Sequence, residues 1–231
     1  MKYANIHKAT FLSRPNRFRA RVLINGSEEI AHVKNTGRCR ELLIPGSTVY
    51  LFRSSNASRK TKYDLISVEK KTDNGIILVN IDSQIPNDVA AEWLPRSGLF
   101  SSDALFTREY TFGNSRFDFC VDEHEKRSFI EVKGCTLENN GICSFPDAPT
   151  VRGIKHIREL ISAVNKGHSA YLLFIVQMKG MKYLVPNNST HPEFGDAMRE
   201  AALSGVKILA VECDVSKDSI VACRQIPVSL Q

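Results

Sequence analysis

The sequence predicts an α/β protein with two modules: a small β-barrel over residues 1–83 and an α/β domain with a mixed central sheet over residues 84–231. Short alternating strands fill the first third of the chain, and helical periodicity begins only after it. The charge changes at the same place. Residues 1–82 hold 15 lysines and arginines against seven acidic residues, whereas residues 83–231 hold 16 against 18. The first module is therefore expected to meet a polyanion, and the second contributes carboxylates.

Composition excludes several classes of protein. With 42% hydrophobic and 24% charged residues over 231 positions, the chain is typical of a soluble globular protein. No apolar run approaches the roughly 20 residues that span a bilayer. Residues 1–9 lack the apolar core of a signal peptide, so we expect a cytoplasmic protein. The six cysteines form no CxxC pair and no zinc-ligand spacing, which predicts free thiols.

The barrel is predicted from about five short strands separated by turns. Residues 17–24 alternate apolar and basic side chains, and Asn25-Gly26 is a strong hairpin signal before a returning strand at 28–33. Further strands are predicted at 48–53, 63–69 and 76–81. This pattern is typical of a Greek-key barrel of the OB type, which often binds single-stranded nucleic acid across a basic face.

Two polar loops of the barrel attract attention. One is Asn-Thr-Gly-Arg at 35–38, where Gly37 allows a tight turn whose amides could face a phosphate. The other is Arg-Lys-Thr-Lys-Tyr at 59–63. The candidate nucleic-acid contacts in this module are Arg17, Arg19, Arg38, Arg59, Lys60 and Lys62. The alternative interpretation is that these charges form solvated loops.

The second module mixes strands and helices after a connection at 83–105. The predicted elements are a short helix at 90–94, a strand at 107–112, a hairpin at 115–133, an irregular stretch at 135–150, a helix capped by Thr150 and ended by Lys166-Gly167, a buried strand at 170–176, a helix at 194–203 and a buried strand at 206–211. The strand at 170–176 is expected to lie parallel to its neighbour through a helical crossover.

The hairpin at 115–133 contains the strongest candidate for a catalytic site. Because side chains alternate along a strand, Glu131 and Lys133 share a face, and Asp118 can share it across the hairpin. Two acids and a lysine on an otherwise apolar hairpin are costly unless they have a function. Carboxylates that hold Mg²⁺ or Mn²⁺ and a lysine that offsets developing charge are what phosphodiester hydrolysis needs. The alternative is a surface ion pair, which stabilises little.

Polar residues that flank this hairpin could extend the site. Arg116 precedes Asp118 on its strand, and Arg152, His156 and Glu159 share one face of the predicted helix. We count Arg116, Arg152 and His156 among the candidate nucleic-acid contacts. The competing interpretation is an ordinary polar helix face, since a single histidine is more often structural than catalytic.

Five motifs occur in one order along the chain: Asn-Thr-Gly-Arg (35–38), Arg-Lys-Thr-Lys-Tyr (59–63), Ser-Arg-Phe-Asp-Phe (115–119), Glu-Val-Lys-Gly-Cys-Thr-Leu (131–137) and Phe-Pro-Asp-Ala-Pro-Thr-Val-Arg-Gly-Ile-Lys-His (145–156). Over nearly its full length the chain resembles the sugar fermentation stimulation protein A (SfsA) family of bacteria and archaea. The resemblance implies an OB-like barrel joined to a PD-(D/E)xK nuclease-like domain. It also implies nonspecific DNA binding and a regulatory link to maltose metabolism.

By this resemblance, Asp118 matches the aspartate of the nuclease motif, Glu131 matches its acidic position and Lys133 matches its lysine. Glu109 corresponds to a supporting acid, and Gln177 corresponds to a position beside the site. Two functions stay open. One is a nuclease that depends on Mg²⁺ or Mn²⁺ and cuts DNA or RNA. The other is a noncatalytic, nonspecific DNA-binding regulator of sugar metabolism. The sequence has no helix-turn-helix or zinc-finger pattern, so base-specific recognition in the major groove is not expected.

Overall fold

The computed structural model describes residues 1–35, 37–56, 58–73, 75–113 and 115–231. Thr36 of the first polar loop therefore lies outside the described residues. Within those ranges no helix has the length and apolar character that a membrane crossing requires.

The first module is a closed barrel with one extra strand. Its strands are β1 (Ile6–Asn16), β2 (Arg19–Ile24), β3 (Ser27–Val33), β4 (Thr48–Arg53), β5 (Tyr63–Thr72) and β6 (Gly75–Asn80), in the order β3-β2-β1-β4-β5-β6. A parallel pairing of β3 with β5 closes the first five strands, which is the five-stranded OB arrangement. The sequence pattern missed β1, because Ala9 and Phe11 are its only buried residues and alternation is weak.

The second module is a mixed sheet with helices on both faces. Its chain order is α1 (Ile85–Trp93), β7 (Leu105–Phe112), β8 (Ser115–Glu123), β9 (Lys126–Cys135), β10 (Glu138–Asn139), β11 (Ile142–Phe145), α2 (Val151–Asn165), β12 (Ser169–Val176), β13 (Tyr183–Pro186), α3 (Pro192–Leu203), β14 (Lys207–Val215) and β15 (Ile220–Ile226). The large sheet has the order β15-β14-β12-β9-β8-β7, and β10, β11 and β13 form a small one.

The parallel centre of this sheet confirms the predicted crossover. β9 pairs parallel with β12, and β12 pairs parallel with β14, while the outer strands pair antiparallel. Thr150 caps α2, since its hydroxyl accepts a hydrogen bond from the Gly153 amide at 3.0 Å. Alternation along β9 sends Phe129 to the core under α2 and α3 and Ile130 to the opposite core against α1. One face of β9 therefore lies beneath α2.

A buried amide joins the two modules. Gln177 follows β12, and its Nε2 donates to the carbonyl oxygens of Asn80 and Asp82 at 3.0 and 3.1 Å. Gly134 on β9 allows this contact, because a Cβ there would clash with the Gln177 side chain and with Pro86. Gln177 is 1% exposed, so its hydrogen bonds to the barrel are shielded from bulk solvent.

Candidate active site and nucleic-acid groove

The site begins where β8 parts from β9. Their ladder pairs Phe119 with Ile130 and runs toward the hairpin turn, but it does not continue through Asp118. Phe117 lies in the core under α2 and α3, whereas Phe119 lies in the opposite core. Regular alternation along the strand would put these two rings on one face, but the alternation of β8 changes phase at Asp118.

Where the β8–β9 ladder ends, the Asp118 carboxylate accepts hydrogen bonds from β9 and from α1. Its Oδ2 accepts the amide hydrogen of Val132 at 2.7 Å, and its Oδ1 accepts a hydrogen bond from the Asn87 side chain at 2.7 Å. Asn87 lies in the first turn of α1. Sequence analysis missed Asn87, because its role depends on how α1 packs against the sheet. Together the two donors fix Asp118 beside β9.

Glu131 and Lys133 share a face of β9, as predicted. Lys133 Nζ lies 2.5 Å from Glu131 Oε1, and His156 Nδ1 of α2 contacts the same oxygen. Glu131 is 3% exposed. Its second oxygen, Oε2, is buried and has no hydrogen-bond partner among the described residues. The carboxylate is therefore saturated on one oxygen and free on the other.

Glu131 differs in this respect from the other buried acids of the described chain. Both oxygens of each of those carboxylates have a partner, and the residues concerned are Asp64, Asp82, Glu138 and Glu212. A buried polar atom without a partner is costly, and in native proteins it commonly marks a place for an ion or ligand.

The pKa values of the two acids of the site are shifted in opposite directions. Burial and the nearby charge of Glu131 raise the pKa of Asp118 above its ordinary value. Burial also opposes ionisation of Glu131, but the hydrogen bonds from His156 and Lys133 outweigh it and leave the pKa of Glu131 below its usual range. Glu131 is thus held as a carboxylate, while Asp118 binds a proton more readily than an exposed aspartate.

His156 belongs to this cluster rather than to an exposed surface. Arg152 Nε donates to His156 Nε2 at 3.3 Å, so the imidazole proton lies on Nδ1 and faces Glu131. The spacing prediction that Arg152 and His156 share a helix face is confirmed. Arg152 itself is exposed at the start of α2.

Glu109 and Arg116 lie at the edge of the sheet. Glu109 on β7 has a left-handed backbone, with φ of 56°, at the position opposite Asp118. Its carboxylate pairs with Arg116 Nε at 2.8 Å, and both side chains are at least half exposed. The described contacts thus engage these two residues with each other rather than with Glu131.

Asp118 and Glu131 suit an ion that needs few protein ligands. In the described part of the chain, no three His, Cys, Asp or Glu side chains are arranged to hold a metal. Mg²⁺ usually takes one or two carboxylates and completes its shell with water and substrate oxygens. The donor set therefore fits a hard cation at the oxygen that Glu131 leaves free, and it does not resemble a closed structural metal site.

Two of the predicted cations of the 59–63 loop form ion pairs with acidic side chains of the barrel. Arg59 binds both oxygens of Asp64, which is 2% exposed, and Lys62 lies 3.4 Å from Glu29. Lys60 is exposed. Arg59 therefore neutralises a buried acid and contributes to stability.

Arg17 and Arg38 lie on a concave surface next to the second module. They line a groove of about 560 Å³ together with Arg40, which sequence analysis missed. Cys39 is buried between Arg38 and Arg40, which leaves both arginines exposed. Arg19, by contrast, is exposed on β2 and does not line this groove.

The interpretation of Gly37 needs a correction. Its amide donates to the Asn35 side chain at 2.7 Å and is not directed at a phosphate. A Cβ at Gly37 would clash with the carboxylate of Asp147, so a larger residue here would displace that side chain where the barrel loop meets the loop before α2. Asn35 itself is buried.

Fold and side chains define a class: proteins in which an OB barrel precedes a mixed-sheet α/β domain that presents an acid–acid–lysine cluster. Two family models match this chain. The SfsA N-terminal OB domain matches residues 12–79, and the sugar fermentation stimulation protein RE domain matches residues 84–219. The chain belongs to the SfsA family. The two-module fold predicted from the sequence is confirmed, and the boundary near residue 83 stays a prediction.

Relatives in other organisms match nearly the whole chain. A sugar fermentation stimulation protein homolog of Desulfitobacterium hafniense strain Y51 is 56% identical over 96% of this chain and 95% of its own length. A homolog of Ruminiclostridium cellulolyticum is 50% identical over the full length of both chains. The solved structure of Pyrococcus furiosus SfsA in complex with Ca²⁺ has a TM-score of 0.84 and 27% identity, and covers 99% of this chain and 98% of that one.

Proposed function

We propose that this protein is a divalent-metal-dependent nuclease that hydrolyses phosphodiester bonds of DNA or RNA. The observation that carries the proposal is the free, buried oxygen Oε2 of Glu131, in a carboxylate whose other oxygen binds Lys133 and whose charge acts on Asp118. A free oxygen in a charged, buried group is expected where a cation binds. Further support comes from a relative, since SfsA of Pyrococcus furiosus was solved with Ca²⁺, an ion that also prefers oxygen ligands.

Each side chain has a distinct task in this proposal. Asp118 and Glu131 would hold Mg²⁺ or Mn²⁺, which supplies Lewis-acid polarisation of a phosphate oxygen. Lys133, with 17% of its side chain exposed, can orient the attacking water or offset negative charge on the phosphate. His156 occupies Glu131 Oε1 together with Lys133, which would leave Oε2 available to hold the ion. Asn87 fixes the rotamer of Asp118.

The barrel would hold the nucleic acid. Its OB topology and the excess of basic residues in the first 82 positions favour a polyanionic partner. Phosphate contacts by arginine and lysine are largely independent of sequence. We therefore expect nonspecific binding that weakens steeply with salt.

A second candidate function is a noncatalytic DNA-binding protein that regulates sugar metabolism. Two observations favour it: the basic barrel and the name of the relatives, sugar fermentation stimulation protein homologs. Nuclease-like folds can serve as binding modules without catalysis.

Cleavage of labelled DNA and RNA with Mg²⁺, Mn²⁺ or EDTA tests the first proposal. We expect metal-dependent products from the wild type and none from Asp118→Asn, Glu131→Gln or Lys133→Met. The chain offers a matched control in a second Glu-x-Lys sequence, since Glu69→Gln and Lys71→Met on β5 change the same residue types in the barrel. Cleavage that survives both Asp118→Asn and Glu131→Gln would reject the site. Intact binding without cleavage under any metal would favour the regulator.

A further inference from the structure

The groove between the barrel and the second module carries concentrated positive charge. Arg17, Arg38 and Arg40 line it and are exposed, and Ala148 of the loop before α2 forms part of its other wall. Within the described ranges, none of these three guanidinium groups pairs with a carboxylate. Three unpaired cations on one concave surface attract a polyanion and gain from release of its counterions.

A fourth arginine holds the groove in shape. The Arg14 guanidinium donates to the backbone carbonyls of Gly37 and Arg38 at 2.8 and 2.7 Å, and to those of Arg17 and Asn35 at 2.7 Å each. One side chain thus ties the β1–β2 turn to the loop after β3. The cations on both segments are set in place before any ligand arrives, which lowers the entropic cost of binding.

An exposed aromatic ring lies beside Arg17, one of the residues that line the groove. Phe18 is 50% exposed, and the Arg17 guanidinium lies 5.6 Å from its ring centroid. Aromatic rings next to arginines are the usual platform on which unpaired bases stack. In a duplex the bases already stack on one another and offer no free face to such a ring. The surface therefore matches a single strand.

The other basic loop of the barrel lacks these features. Arg59 is engaged with Asp64, and Lys62 lies near Glu29, so two of its cations already have acidic partners. Among the described residues, no carboxylate forms an ion pair with the three arginines of the groove. Charge availability thus favours the groove over the 59–63 loop as the path of a strand.

We infer that this groove binds a single-stranded segment of nucleic acid, with Arg17, Arg38 and Arg40 on phosphates and Phe18 under a base. The inference rests on the nucleic-acid-binding part of the proposed function and does not require cleavage. The groove wall at Ala148 leads into α2. His156, which touches Glu131, lies about 9 Å along that helix from Thr150 at 1.5 Å per residue. The groove wall and the residue that contacts Glu131 are therefore joined by less than two turns of one helix.

Salt-dependent binding tests the role of the arginines. Anisotropy of fluorescein-labelled oligothymidylate, measured in EDTA, gives the slope of log K against log salt. The slope is negative, and each phosphate contact on a single strand adds roughly 0.7 to its magnitude. The triple variant Arg17→Ala, Arg38→Ala, Arg40→Ala should therefore reduce that magnitude by about 2. The matched control Arg53→Ala, Lys60→Ala, Lys62→Ala removes two charges from the other loop and one from the end of β4, and it should leave the slope unchanged. An equal loss in both triple variants, or a loss in the control alone, would overturn the assignment.

Ring chemistry at Phe18 provides the second test. Phe18→Leu should weaken single-strand binding about tenfold, whereas Phe18→Trp should restore it, because only an aromatic ring can stack on a base. The same label on a duplex should bind more weakly than the single strand, and Phe18→Leu should leave its affinity unchanged. Leucine that binds as well as phenylalanine, or a duplex that binds as well as the single strand, contradicts the inference. All of these measurements are made in EDTA, where no metal-dependent cleavage occurs, so failure of the nuclease proposal would leave these results intact.

Discussion

Two buried charge clusters, one in each module, use the same residue types and differ in how completely they are paired. In the barrel, Lys34 bridges Asp64 and Asp82 at 3.4 and 3.1 Å, and Arg59 covers Asp64. Every carboxylate oxygen of those two acids has a donor. In the second module, Glu131 has two donors on one oxygen and none on the other among the described residues.

The difference teaches which cluster stabilises the fold and which is available for a ligand. A complete network is a structural unit, because all its members are satisfied without outside help. An incomplete one leaves a desolvated oxygen whose cost a bound cation can remove. Their pKa values follow the same division. Burial would raise the pKa of Asp64, but Arg59 and Lys34 hold it below its ordinary value, whereas the pKa of Asp118 is raised.

The largest expected effect is the loss of stability when the buried lysine of the barrel is replaced. Lys34→Met leaves Asp82 and part of Asp64 as buried charges without their partner, which costs about 3–5 kcal/mol of the free energy of unfolding. Urea denaturation at neutral pH measures this. Lys62→Met, which removes an exposed pair with Glu29, should cost less than about 1 kcal/mol. Equal stability of the two variants would show that the barrel network is not a structural unit.

The next effect concerns stabilisation by metal. A divalent ion at a hundredfold excess over its dissociation constant should stabilise the wild type by about 2.7 kcal/mol. Glu131→Gln and Asp118→Asn should abolish this gain, since both remove a proposed ligand. Thermal unfolding with and without Mn²⁺ gives the comparison, and Glu69→Gln serves as the control that keeps the full gain. A gain of the same size in Glu131→Gln would place the ion elsewhere.

A smaller effect is expected from the histidine that orients Glu131. His156→Phe removes one of the two donors on Oε1 and should weaken Mn²⁺ binding about tenfold, or about 1.4 kcal/mol, as losses of residues behind metal ligands do. Calorimetric titration with Mn²⁺ measures the affinity. Arg158→Gln, an exposed change on the same helix, should leave it unaltered. Unchanged affinity in His156→Phe would mean that Lys133 alone orients the carboxylate.

The smallest effect appears in acid and separates Asp64 from Asp118. The lowered pKa of Asp64 gives the fold a stabilisation that is complete above the unfolded value near 3.9 and is lost as pH falls through the folded value. The raised pKa of Asp118 acts in the opposite sense, so the folded state gains relative stability as pH falls through that pKa. Carboxyl ¹³C shifts should therefore show Asp118 titrating at higher pH than Asp64. The reverse order would contradict the comparison.

Local pattern was sufficient where one strand or helix decides the geometry. Alternation along β9 correctly put Glu131 and Lys133 on one face, and helical spacing put Arg152 with His156. Thr150 was recognised as a cap because the capping residue and the apolar spacing lie next to each other in the chain.

Pattern was insufficient where the partner comes from a distant element. Asn87 meets Asp118 only through the packing of α1, and Lys34 meets Asp64 only once the barrel closes through β3 and β5. The phase change at Asp118 was also hidden, since Phe117 and Phe119 look like a regular alternation in the sequence.

The seam made by Gln177 has a mechanical consequence. Its amide donates to the carbonyl oxygens of Asn80 and Asp82, and a Cβ at position 134 would clash with its side chain, so a closely fitted contact joins the two modules. In the proposed nuclease, this contact would keep the groove and Glu131 at a constant separation. The ends of its products would then lie a fixed number of nucleotides from the segment bound in the groove.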